Sequence, residues 1–276
     1  MNAQSVLRPA IQILKQAGVA EPAKDARLLL AHCLGIEASR LTLHLDDDIG
    51  TATADRFKTL VLRRADRQPV SQILGVREFY GRTFKVTQDV LDPRPESETL
   101  VEQALSVEFE TIVDVGTGSG CLLLSLLAER EQATGIGVDI SKAALSVAKE
   151  NAALLGVGAR ARFLTSDWLT AISKSTDLIV SNPPYIDEAE WAALEPEPRE
   201  WEPKIALTPG PDGTEPYRIL AAQAGGVLNK HGWLMVEIGW QQGAGVQEIF
   251  ERAGWQNVEV VQDLGGCDRV VRGQKP

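Results

Sequence analysis

Cysteine, histidine and aromatic residues are scarce in this chain of 276 residues. Its three cysteines, Cys33, Cys121 and Cys267, form no Cys-x-x-Cys pair. That scatter excludes a disulfide framework and fits a reducing compartment. The three histidines make no ligand set of zinc spacing with them, so no metal is expected. No apolar run approaches the roughly 20 residues that span a bilayer. Gln12, Lys15 and Gln16 break up the N-terminus before a signal sequence could form. Basic residues are also short, 28 Lys and Arg against 38 Asp and Glu, for a formal net charge of −10. The basic stripe that a nucleic-acid partner calls for is therefore missing. A cytoplasmic protein is expected, and a monomer by default.

What is present is ordinary globular composition, 44% hydrophobic and 24% charged. Residues 1–74 read as a small N-terminal helical domain for substrate docking. Leu7, Ile11 and Leu14 recur at helical spacing, Pro22 suits a helix start, and Phe57, Leu60 and Val61 mark a further helix. Residues 75–95 read as a hairpin linker, with Phe79, Tyr80, Phe84 and Val86 punctuated by Gly75 and Gly81. From residue 96 to residue 276, short β-branched runs alternate with helical stretches. The strands are expected at 111–115, 135–138, 162–164, 178–180 and 233–238. That rhythm predicts an α/β, Rossmann-like, doubly wound and mainly parallel sheet. Two last strands around Gly265-Gly266 predict a C-terminal antiparallel hairpin.

Asp114-Val115-Gly116-Thr117-Gly118-Ser119-Gly120 follows a strand and opens a helix. Glycines there let backbone N–H groups approach a ligand closely. Asp139 ends the next strand, nineteen residues after Gly120, where a carboxylate can accept both hydroxyls of a ribose. A helix cap is the structural alternative for Asp139. The pattern is G-x-G-x-G rather than the dinucleotide G-x-G-x-x-G, and no Walker lysine follows. A nucleoside without phosphate fits this loop, and S-adenosylmethionine is one.

Ile179-Val180-Ser181-Asn182-Pro183-Pro184-Tyr185 is the most informative segment. The two prolines fix the backbone and remove two donors. They would aim the Asn182 side-chain carbonyl and the Pro183 backbone carbonyl, while Tyr185 offers a face for stacking. Two acceptors and a flat ring suit a planar –NH2 group. Asn182, Pro183 and Tyr185 are thus the expected catalytic residues, and Asn182 to Tyr185, with Pro184, the substrate site. The motif alone leaves open whether the amine belongs to glutamine or to adenine.

Taken together, these blocks resemble the HemK/PrmC family of class I methyltransferases. The resemblance includes Gln68-Pro69-Val70, Pro93-Arg94-Pro95-Glu96-Ser97-Glu98, the glycine loop, Val138-Asp139-Ile140-Ser141, Ser166-Asp167-Trp168, the Asn-Pro-Pro-Tyr motif, Trp201-Glu202-Pro203 and Glu237-Ile238-Gly239. It implies methyl transfer from S-adenosylmethionine to the side-chain amide nitrogen of the glutamine in the Gly-Gly-Gln loop of peptide chain release factors. S-adenosylhomocysteine would be the product. It also implies that Gly116, Thr117, Gly118, Ser119, Gly120, Asp139, Asp167, Trp168 and Asn182 contact the cofactor. Arg94 and Glu98 would lie near it, with Ser97 as a polar cap. A glutamine methyltransferase acting on a ribosomal protein, or an adenine methyltransferase acting on nucleic acid, is the alternative. A scaffold that has lost its chemistry would not need an intact Asn182. Residues 186–204 carry seven acidic residues against Arg199 and Lys204. Such a run beside the site would repel a phosphate backbone and form part of a lid or release-factor contact.

Overall fold

Residues 1–276 are all described by the computed structural model, in which the chain divides into two units. The first unit comprises residues 1–76 and 195–201, and the second residues 77–194 and 202–276.

The first unit is helical. Helix α1 (Ala3–Gln16) starts where the Asn2 side chain accepts from Ser5 N at 3.0 Å, and buries Ala3, Leu7, Ala10 and Leu14 along one face. Helix α2 (Pro22–Leu34) has Pro22 at its first position and stops at Gly35, whose φ of 67° is left-handed. Helices α3 (Thr51–Ala65) and α4 (Val70–Leu74) complete the bundle, with Phe57, Leu60 and Val61 buried on α3. Arg64 is buried too. Its guanidinium donates to Asp25 Oδ2 at 2.7 Å and to Glu197 Oε1 at 3.0 Å, while Arg67 also pairs with Glu197. Removing one member of such a buried set leaves a charge unpaired, at a cost of roughly 3–5 kcal/mol.

The second unit opens with a hairpin, β1 (Val76–Phe79) and β2 (Arg82–Lys85). Its turn places Tyr80 and Gly81 at φ 47° and 68°, as a two-residue hairpin loop demands. Phe79 and Phe84 meet edge to face, centroids 6.1 Å apart, in the same core as Leu100 and Leu123. The stretch read as a linker is therefore built into this unit from Arg77 onward, because burying two phenyl rings anchors it.

A short 3-10 turn at Pro95–Ser97 leads into α5 (Glu98–Leu105). There follow β3 (Thr111–Val115), α6 (Cys121–Glu129), β4 (Thr134–Asp139), α7 (Lys142–Leu154), β5 (Ala161–Thr165) and β6 (Thr176–Ser181). Short helices α8 (Glu188–Ala193), α9 (Pro196–Trp201, in the first unit) and α10 (Lys204–Leu207) come next. Helix α11 (Glu215–Val227), β7 (Leu228–Glu237), α12 (Gly243–Arg252), β8 (Gln256–Gln262) and β9 (Asp268–Gln274) end the chain. The seven-stranded sheet has the order β5-β4-β3-β6-β7-β9-β8. Strands β3 to β7 pair in parallel, and β9 runs antiparallel to both β7 and β8.

Alternation along each strand feeds a core on each face of the sheet. On β6, Leu178 and Val180 join the layer containing α5 and α6, whereas Ile179 joins Tyr217, Leu220 and Phe250 on the other side. With both faces covered, the central strands read as continuous apolar runs. No helix is long and apolar enough to cross a membrane.

Candidate active site

From β3 the sheet grows outward through β4 to β5, then resumes on the other side of β3 with β6 and β7. Ligand crevices form at such a reversal, beyond the carboxyl ends of the strands. Here Val115 pairs with both Val138 and Ser181, so the glycine loop, Asp139 and Asn182 all leave the sheet at one edge. Ser181 Oγ donates to Val115 O at 2.7 Å and ties the two central strand ends together. A cavity of about 410 Å³ lies there.

Gly116, Gly118 and Gly120 have φ of 71°, 55° and 83°, a left-handed path that favours glycine. Gly116 N and Thr117 N both donate to Val138 O at 2.9 Å, and Thr117 Oγ1 donates to Asp114 Oδ2 at 2.6 Å. A side chain on Gly116 would project into open space. Gly116, Thr117, Gly118 and Ser119 line the cavity. Gly120 does not. A Cβ there would sit 2.9 Å from Leu124 Cδ1 and 3.3 Å from Ala148 Cβ, so its bareness serves the packing of α6 on α7.

Asp139 accepts from Gly118 N through Oδ2 at 3.0 Å and from Ser141 N through Oδ1 at 2.8 Å. Each oxygen keeps a second lone pair for a ligand hydroxyl. Burial raises its carboxyl above the usual range, against the pull of those backbone N–H groups. The cap of α7 is Ser141, whose Oγ accepts from Ala144 N at 3.2 Å. Asp167 and Trp168 line the same cavity. Trp168 sits at φ 50°, its carbonyl accepting from Ser166 Oγ at 2.7 Å, and its indole also packs on the second core.

Asn182, Pro183 and Pro184 line the cavity as well, but Tyr185 does not. Its side chain packs against the core of Tyr217 and Ile238, and burial pushes the phenol up to about 12. Its carbonyl accepts from Gln242 Nε2 at 3.1 Å. Tyr185 thus packs partly into this core, one residue beyond the last proline that lines the cavity.

Ser97 touches Asn182 and Glu237 is enclosed at the end of β7, two placements that the sequence did not show. Asn182 Nδ2 donates to Ser97 Oγ at 3.3 Å. Ser97 makes no side-chain cap on α5, contrary to expectation. Glu237 ends β7 fully enclosed, and burial pushes it up to about 7. A carboxylate closing an apolar strand was the available signal. Arg94 lines the cavity and donates to Glu202 Oε1 and Oε2 at 2.7 and 2.8 Å. Glu98 lies outside it and accepts from Tyr80 N at 2.8 Å.

The acidic run of residues 186–204 does not act as one face. Glu195 and Glu197 pair with Arg67, Glu197 also pairs with Arg64, and Glu202 pairs with Arg94. Asp187 and Glu190 form the capping box of α8, and Lys204 Nζ sits 4.0 Å over the Trp191 ring. Much of the charge is neutralised within the fold, so the electrostatic case against a phosphate backbone is weaker than the residue count suggests.

Residues 5–75 match the PrmC N-terminal domain, and residues 88–194 match the methyltransferase small domain. Over 276 residues the chain is 51% identical to the release factor glutamine methyltransferase of Cereibacter sphaeroides, covering 100% of this chain and 99% of that one. The chain belongs to the release factor glutamine methyltransferase family. A family member from Rhodospirillum rubrum is 45% identical over 265 residues, covering 95% of this chain and 82% of that one. Among solved structures, a methyltransferase from Pyrococcus furiosus superposes with a TM-score of 0.55 at 14% identity, covering 79% of this chain and 97% of that one. That last likeness is one of fold. Family membership therefore rests on the near-complete alignment with the Cereibacter sphaeroides relative.

Proposed function

We propose that this protein transfers a methyl group from S-adenosylmethionine to the side-chain amide nitrogen of the glutamine in the Gly-Gly-Gln loop of peptide chain release factors. S-adenosylhomocysteine is the second product. The observation that carries the reading is one cavity lined both by the glycine loop with Asp139 and by Asn182-Pro183-Pro184, in a chain of this family. The lining suits a nucleoside without phosphate. Gly116 leaves room for close approach, Asp139 retains lone pairs for hydroxyls, and Val138, Ile140, Leu122 and Ala144 supply apolar wall. Arg94, the one basic residue in the lining, is already engaged by Glu202. Gly116 to Ser119, Asp139, Asp167 and Trp168 would hold the cofactor.

When bound, S-adenosylmethionine supplies an electrophilic methyl on a sulfonium, an excellent leaving group. An amide nitrogen is a poor nucleophile because its lone pair is delocalised into the carbonyl. Asn182 Oδ1 and the Pro183 carbonyl each accept one amide proton, which favours the polarised nitrogen and orients it for attack. Asn182 Nδ2 is already held by Ser97, so its oxygen is the end left for substrate. The proton departs after transfer, and no strong base need act first. In this reading the protein works in the cytoplasm as a monomer, on a protein and not on nucleic acid, in keeping with its net charge of −10.

The test is transfer of labelled methyl from S-adenosylmethionine to a purified release factor, beside the same factor with its loop glutamine replaced. Label on the intact factor alone supports the reading. No label on either, with cofactor binding intact, overturns it in favour of a ribosomal protein or nucleic acid substrate.

A further inference from the structure

Gln242 occupies the N-cap of α12, a position that favours Ser, Thr, Asp or Asn, yet its side chain caps nothing there. The amide is turned instead toward three other segments. Oε1 accepts from Gly239 N at 3.0 Å and from the Tyr217 hydroxyl, on α11, at 3.2 Å. Nε2 donates to Tyr185 O at 3.1 Å. The amide can face only one way, because a backbone N–H donates to one end and a backbone carbonyl accepts from the other. Tyr217 is fully buried and its hydroxyl also reaches Glu237 O at 3.1 Å, so the set is fixed to the end of β7. Gly239 makes room for it: a Cβ there would lie 3.0 Å from Gln242 Oε1 and 3.4 Å from Tyr185 Cδ2.

We propose that Gln242 is a positioning residue for methyl transfer, holding the far end of the Asn182-Pro183-Pro184-Tyr185 run so that Asn182 and the Pro183 carbonyl keep their direction. The proposal rests on the reading of those two acceptors given above. The near end of the run is fixed where β6 leaves the sheet, by the pairing of Ser181 with Val115. Beyond it, both prolines have φ locked, and Asn182 and Pro183 are each confined to extended ψ by the proline that follows. A run this stiff pivots as one piece about its near end. Neither proline has an N–H with which to tie itself down. The tie must come from beyond Pro184, and Tyr185 O is where Gln242 makes it. Ile186 N, donating to Leu207 O at 3.0 Å, supports the chain one residue further on. Without the Gln242 donor the run is free to tilt between Ser181 and Ile186. Misplacing a reacting group by about 1 Å costs up to ~100-fold in rate.

The experiment compares the full-length protein with three variants. Gln242→Glu keeps the size of the side chain and the acceptor for Gly239 N but puts an oxygen where the donor to Tyr185 O was. Gln241→Glu adds the same charge at the exposed neighbouring residue and serves as control. Tyr217→Phe removes the hydroxyl that holds Gln242 Oε1 and keeps the ring in the core. With a release factor as substrate, Gln242→Glu should lower kcat at least about tenfold, with KM and cofactor Kd each within about twofold. Gln241→Glu should keep wild-type kcat, and Tyr217→Phe should fall between the two. A second readout needs no turnover. The side-chain 15N signal of Asn182, assigned by its loss in Asn182→Asp, should shift in Gln242→Glu and not in Gln241→Glu, while the amide signals of Gly116 and Gly118 stay still in both. Wild-type kcat or an unmoved Asn182 signal in Gln242→Glu would overturn the proposal. So would a loss confined to KM or cofactor Kd, or an equal fall in Gln241→Glu. If Gln242→Glu fails to fold, Tyr217→Phe with wild-type kcat and an unmoved Asn182 signal would overturn it. Wild-type protein that methylates no release factor would instead sink the underlying reading, and the Asn182 signal would still judge the hold by Gln242.

Discussion

Asn182 has one nitrogen and one oxygen to offer, and the fold engages the nitrogen before any substrate arrives. The acceptor that remains is worth most where charge builds on the attacking amide. Asn182→Ala is therefore expected to lower kcat at least about a hundredfold, if one oriented acceptor contributes ~3 kcal/mol in the transition state. Cofactor affinity, measured by calorimetry, should stay within about twofold, because the glycine loop and Asp139 are untouched. Unchanged kcat would remove the role assigned to this residue. Asn182 was legible in the sequence because its two prolines are contiguous with it. Its contact with Ser97 was not, since that residue lies 85 positions away and is brought close only by the packing of the 3-10 turn beside the sheet edge. Glu237 stood in a block with recognisable neighbours, but nothing local showed that its carboxyl would be enclosed.

At the scale of elements, the strand ends carry the site and short buttresses hold them. The loop before α11 is one such buttress. A Cβ on Gly213 would lie 2.3 Å from Tyr185 O and 3.2 Å from Gln242 Nε2. The backbone after the prolines cannot yield to it without breaking the Gln242 bond to Tyr185. Gly213→Ala should thus lower kcat about tenfold or more while leaving cofactor Kd nearly unchanged, in steady-state and calorimetric assays. Loss of cofactor affinity without loss of kcat would contradict this. The strands themselves were readable because β-branched alternation and parallel burial leave a mark in the residues of β3, β4, β6 and β7. Their spatial order was not, since it depends on which side of β3 each crossover returns. Helices α8, α9 and α10 were not legible either. They are four to six residues long, too short for periodicity, and are held by caps and ion pairs from distant residues. The partner of the Tyr185 carbonyl was hidden for a similar reason: its neighbours in the chain announce a turn, and Gln242 lies 57 residues away.

For the whole molecule, two opposed sets of carboxyls set the pH dependence of stability. Asp177, Glu197, Asp212 and Asp263 are held below their usual range by hydrogen bonds and arginines, Asp212 to about 2. Their contribution is present above the ordinary carboxylate range and is lost as pH falls through their lowered values. Asp114 and Glu237 lie at about 7 against ordinary values of 3.8 and 4.5, raised chiefly by burial. Between roughly pH 4 and pH 7 the folded chain therefore binds more protons at these two sites than the unfolded chain does. Stability at these sites must then fall as pH rises, and the penalty is complete above about pH 7. The two trends together place the maximum near pH 5, below the usual neutral plateau. Urea midpoints measured from pH 4 to pH 8.5 should peak there and decline toward the alkaline end. Net charge grows more negative over the same range, and self-repulsion would give a similar decline. Salt separates the two: about 0.5 M NaCl screens surface repulsion but leaves a buried titration in place. Asp114→Asn, which cannot ionise, should flatten the decline at high salt, whatever its effect on the absolute midpoint. A decline that disappears in salt and is unaltered by that substitution would assign the pH dependence to surface charge instead.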